Sequence, residues 1–105
     1  MNWREDPTHI TNLRADILRM LLQRHEGQLS RMNDDRLCIS LKGVSIRIEL
    51  PELVTRLQEM KDRGWITYKE VRNVWPRRIQ LRQIQILPLG RDLVEGTKED
   101  PAVTF

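Results

Sequence analysis

The chain has 105 residues, with 18 Lys and Arg against 15 Asp and Glu for a net charge of +3, and 39% of its residues are hydrophobic. That size predicts one domain whose core needs no staples. No apolar run reaches about 18 residues, so no membrane span is expected. The single cysteine, Cys38, excludes an internal disulfide, and residues 1–6 contain no apolar signal core; both predict a reducing, cytoplasmic setting.

Residues 1–6 read as a flexible N-terminus. Asp6-Pro7 is a helix start, because Asp accepts from free backbone N–H groups and Pro needs none. Ile10, Leu13, Ile17 and Leu21, flanked by Leu18 and Leu22, recur at helical spacing until Gly27, which predicts a first helix over 7–26. Asn33-Asp34-Asp35 marks a second helix start. Leu37, Cys38 and Leu41 form its apolar face and Gly43 ends it. Val44, Ile46, Ile48 and Leu50 then alternate with polar residues, and this period of two predicts a short strand.

Pro51 opens a third helix. Its buried stripe is Leu50, Leu53, Val54, Leu57 and Met60, and Gly64 closes it. The β-branched and aromatic residues from Trp65 to Val71 predict a strand, and a loop bracketed by Asn73 and Pro76 follows. Ile79 and Leu81 alternate with Gln80 and Arg82. The alternation slips at Gln83 and resumes at Ile84 and Ile86, the mark of a β-bulge. Residues 89–94 form a last short helix, and 96–105 read as a flexible C-terminal tail. The order is α+β: a three-helix core, a β-hairpin wing and a short C-terminal helix over residues 7–95. This is the layout of a winged helix-turn-helix.

Positive charge is concentrated in the predicted hairpin. Residues 67–84 hold Lys69, Arg72, Arg77, Arg78 and Arg82 against Glu70 alone, a net +4, so the rest of the chain sums to −1. These five bases could contact phosphates or enter a minor groove. Trp75, beside Pro76 and Arg77-Arg78, could stack on a base or an unpaired end. Alternatively Trp75 packs under the wing and the arginines only solubilise it. On the third helix, Thr55, Arg56, Gln58 and Arg63 are candidate base readers. Residues 49–66 nevertheless sum to −1, which opposes approach to phosphate. The competing reading is a solvated face with i,i+4 pairs such as Arg56 with Glu52. Trp3 and Trp65 are expected in the core or in a dimer contact.

Two phrases carry a resemblance. Leu57-Gln58-Glu59-Met60-Lys61-Asp62-Arg63-Gly64-Trp65-Ile66 resembles the recognition-helix exit of winged-helix regulators. Leu89-Gly90-Arg91-Asp92-Leu93-Val94-Glu95-Gly96 resembles the helix that follows their wing. With the stretch from Asn12 to Leu22 and Pro101-Ala102-Val103, the chain over roughly residues 9–103 is similar to small winged-helix proteins of Mu-like phages. These have unsettled function and are encoded near DNA-packaging and head genes. The resemblance implies the winged-helix fold and a phage or prophage protein of the bacterial host cytoplasm; the basic hairpin in that layout predicts a regulator or DNA-handling factor that contacts double-stranded DNA mainly through the wing. Many winged helices act as dimers, so a homodimer is expected, with Trp3, the first helix and the last helix as its contact. The alternative is a protein-interaction adaptor with a phage protein partner, in assembly or DNA packaging. Residues 43–49 are longer than the tight turn that usually precedes a recognition helix, which predicts a tilt of the third helix.

No enzyme, cofactor or metal site is expected. His9 and His25 lie roughly 24 Å apart along one helix. Cys38 has no CxxC partner and reads as a small buried hydrophobe. Asp34 and Asp35 are adjacent, so they do not face each other, and helix capping accounts for both.

Overall fold

Asp6 accepts the Thr8 N–H at 2.8 Å and Pro7 follows it, so the first helix starts where the sequence places it, as α1 (Pro7–Glu26). The structure, a computed structural model, describes residues 6–26, 32–72, 75 and 79–105, with the backbone alone for 25 and 26. The further elements are α2 (Asp34–Gly43), α3 (Leu50–Asp62), β1 (Ile66–Arg72), β2 (Ile79–Ile86) and α4 (Pro88–Glu95). Leu13, Ile17, Leu18 and Leu21 of α1 are buried against the other helices and the hairpin. Trp3, Gly27 and the loop residues Asn73, Pro76, Arg77 and Arg78 lie outside the described residues.

The exit of α3 fixes the hairpin. Gly64 has φ +80, a backbone conformation that costs a residue with a Cβ. Its N–H donates to Lys61 O at 2.9 Å, and the Trp65 N–H donates to Met60 O at 3.1 Å. This is a Schellman closure, and Trp65, next in line, is 1% exposed. Trp65 thus sits in the core, and its carbonyl accepts the Leu87 N–H at 2.9 Å. Helix α4 lies so close behind it that a Cβ on Gly90 would fall 2.4 Å from that carbonyl oxygen.

β1 and β2 pair antiparallel, with Ile66 opposite Ile86, Thr67 opposite Gln85 and Lys69 opposite Arg82. Between the last two pairs β2 spends one residue more than β1. The extra residue is Gln83, at φ +54, so the slip in alternation was a bulge. Among the described residues Met32 also meets the sheet, its carbonyl accepting the Ile84 N–H at 3.0 Å.

Three expectations are corrected. First, residues 44–48 are no strand. Val44 and Ser45 form a turn on the end of α2, with Ser45 at φ +66, and residues 46–49 are extended without a sheet partner. Ile46 and Ile48 do turn inward while Ser45, Arg47 and Glu49 stay exposed. The alternation therefore reports burial between two helices, and the β2 edge is met by Met32 instead.

Second, Asp34 and Asp35 do more than cap. The residue at the cap position of α2 is Asn33, which makes no side-chain cap bond. Asp34 is fully buried. Its carboxylate accepts the Asp35 N–H at 2.8 Å and, across the fold, the Leu81 N–H at 3.1 Å. Asp35 accepts the Gln80 amide at 3.1 Å. Two backbone donors and the helix N-terminus offset the cost of burying the carboxylate, and they bolt α2 to β2.

Third, the tail read as flexible is docked on α1. Val103 is buried, Thr104 N–H donates to Thr11 O at 3.2 Å, and Arg14 Nη1 donates to Ala102 O at 2.9 Å. The Phe105 ring lies 5.1 Å from the Arg19 guanidinium.

Candidate nucleic-acid interface

Two surfaces were expected to meet nucleic acid, α3 and the hairpin. Pro51, Thr55, Gln58 and Asp62 share one stripe of α3, spaced by three and four residues, with Gln58 half-buried; Lys61, also exposed, stands off this stripe in the last turn. Thr55 is exposed, with its hydroxyl donating back to Pro51 O at 3.1 Å. This stripe carries an acid and no base. Arg56 stands on the neighbouring flank, turned toward α1, and its side chain is only 12% exposed.

That flank is an ionic seam. His9 Nε2 lies 3.2 Å from Glu52 Oε2, Arg14 Nη2 lies 3.2 Å from Glu59 Oε1, and Arg56 Nε lies 3.0 Å from the same oxygen. The expected Arg56–Glu52 pair does not form, because His9 takes Glu52 and Glu59 takes Arg56. The alignment is imperfect: among the described residues Arg56 Nε and Nη1, Arg14 Nε and Glu52 Oε1 are buried without a hydrogen bond. The seam consumes charge that the sequence counted as available to DNA.

At the end of α3 the cations are exposed but lean on rings. Arg63 stands over Trp65 at 5.4 Å and Lys61 over Tyr68 at 4.4 Å. Burial pushes the Tyr68 hydroxyl upward, helped by the nearby Glu70 and Asp62 carboxylates, so it stays protonated and able to donate.

The hairpin is the more open surface. Lys69 and Arg82 are exposed and directly opposite each other. Arg82 Nε donates to Gln80 Oε1 at 2.7 Å, which holds the guanidinium along the strand. Arg72 is 73% exposed and pairs with Glu70 at 3.1 Å. Trp75, at the turn, is 91% exposed and does not pack under the hairpin. Its neighbours Arg77 and Arg78 fall outside the described residues.

Sequence reading missed an open depression of about 380 Å³ at the root of the hairpin, lined by Thr67, Tyr68, Lys69, Gln83 and Gln85. The one available signal was the broken alternation at Gln83.

Elsewhere the chemistry is quiet. Burial pushes the Cys38 thiol up, more than Lys42 draws it down, and its sulfur lies 4.0 Å from Ile48 O. Among the described residues no cluster of three His, Cys, Asp or Glu could hold a metal, and no helix is long and apolar enough to cross a membrane. Comparison of the chain with protein-family models, with curated proteins and with solved structures finds no match.

Proposed function

We propose that this chain is a winged-helix protein that binds double-stranded DNA mainly through its hairpin, in a phage or prophage regulatory or DNA-handling role. The element order supports the winged-helix arrangement, as do the glycine-closed exit of α3 into the hairpin and the Met32 contact on β2. The observation that carries DNA contact is the exposed Lys69–Arg82 cross-strand pair, with Trp75 bare at the turn beyond it. Phosphate attracts such a pair, and counterion release then makes the affinity depend steeply on salt. An indole at the tip can stack on a base.

The test is fluorescence anisotropy on a short random-sequence duplex across a salt series, for the native chain and for Arg77→Ala/Arg78→Ala. Binding that falls steeply with salt, and weakens in the double variant, supports the reading. No binding at low salt overturns it.

A second reading has its own support. The outward stripe of α3 lacks a base, and an apolar cleft of about 440 Å³ opens between Met20 and Leu22 of α1, Val44, Ile46 and Val94. Both suit an adaptor that docks a phage assembly protein or a second copy of the chain. Protein docking on that cleft would show little salt slope and would be lost in Val44→Asp.

A further inference from the structure

Three local costs fall together at the root of the hairpin. Gln83 holds a left-handed backbone that only glycine adopts freely. The bulge it forms interrupts the ladder between β1 and β2. Lys69 and Arg82 face each other as like charges, an arrangement that destabilises a sheet. Around them lies the polar depression of Thr67, Tyr68, Lys69, Gln83 and Gln85. Gln85 stands directly opposite Thr67, Gln83 lies two residues along the same strand, and the bulge at Gln83 brings Arg82 opposite Lys69 beside them. Among the described residues, the side chains of Thr67, Gln83 and Gln85 are spent on no other group.

We infer that this depression reads base edges. The hairpin, not α3, would enter the major groove, with Gln83 and Gln85 as the sequence-reading side chains. The inference rests on the DNA-binding reading above and deepens it. A major groove admits a two-stranded ribbon as well as a helix, and a glutamine amide meets adenine through paired donor and acceptor. Lys69 and Arg82 flank the amides and meet the phosphates that line the groove. Lys61 adds a third cation, over the Tyr68 ring. The acids nearest this surface are Glu70, already paired with Arg72, and Asp62 on the side of α3. The α3 stripe is the poorer reader, with Asp62 at its end and Arg56 covered.

Selection of duplexes from a random library by the full chain tests this, followed by anisotropy on the selected and a scrambled duplex. The variants are Gln83→Gly/Gln85→Val, which suits the bulge and strand backbones, and Thr55→Ala/Gln58→Ala. Urea unfolding checks that both stay folded. The glutamine variant is expected to lose roughly tenfold or more of the preference for the selected duplex. It should keep the scrambled-duplex affinity and its salt slope. The α3 variant should keep the preference. Three outcomes overturn the inference: preference surviving the glutamine changes, preference lost with Thr55 and Gln58, or selection yielding no motif. In each of these, salt-dependent binding to the scrambled duplex leaves the DNA reading standing. Absence of that binding overturns both.

Discussion

Helix α3 and the hairpin both arrive at the surface with ionic side chains, yet they dispose of them differently. Along α3, Glu52, Arg56 and Glu59 turn toward α1 and are taken up by His9 and Arg14 or by each other. Among the described residues of the hairpin only Glu70 and Arg72 neutralise one another, and Lys69 and Arg82 stay exposed. Formal charge per segment therefore misjudges what a ligand meets. A helix packed against another helix spends its charges on its neighbour. A strand with one face in water keeps them.

The heaviest blow to this arrangement should be Asp34→Ala. It removes the carboxylate that ties α2 to β2 and leaves the buried Leu81 N–H without its partner. A loss of about 2–4 kcal/mol is expected from urea unfolding, and the proposed DNA contact of the hairpin should be lost with it. Next comes a matched pair that sets the two regions against each other. Arg56→Met should cost about 1 kcal/mol or less in stability, because its ion pair is poorly aligned, and it should leave the salt slope of DNA binding untouched. Arg82→Gln should leave the unfolding midpoint nearly unchanged and lower that slope by about one. The reverse pattern would mean that α3 carries the phosphate contacts.

A smaller effect separates stability from binding within the hairpin. Lys69→Thr relieves the like-charge pair and should raise stability by roughly 0.2–1 kcal/mol, while DNA affinity falls. The smallest effect lies away from both regions. Burial raises the Asp16 carboxyl above its ordinary value, with Arg19 opposing. Its ionised form is thus less favourable in the folded chain than in the unfolded one. That cost is present above the folded pKa and disappears as pH falls below about 4. Asp16→Asn should therefore raise the melting temperature slightly at neutral pH, and the gain should vanish in acid.

Local signals were legible wherever one residue type decides the backbone. Asp6-Pro7 opened α1, Gly64 closed α3, and the displaced Gln83 announced the bulge. What could not be read depends on distant partners. Nothing near Glu59 in sequence points to Arg14, and nothing near Asp34 points to the Leu81 amide. Ile46 and Ile48 looked like a strand because an extended connector between helices buries alternate side chains just as a sheet does. The polar tail looked free because Val103 and the Ala102 carbonyl are a small signal in a charged stretch. The hairpin depression was hidden for another reason: it depends on the cross-strand register, which sets Thr67 opposite Gln85 and, past the bulge, Lys69 opposite Arg82.

The contact between Arg14 and Ala102 spans 88 positions. During synthesis the first helix emerges long before its last partner, with a buried arginine still waiting for its carbonyl and Val103 not yet laid down. Docking of the tail is therefore the last, long-range step: a chain stalled before residue 102 already holds the helix and hairpin partners of α1 but leaves the Arg14 guanidinium and the Thr11 carbonyl uncovered.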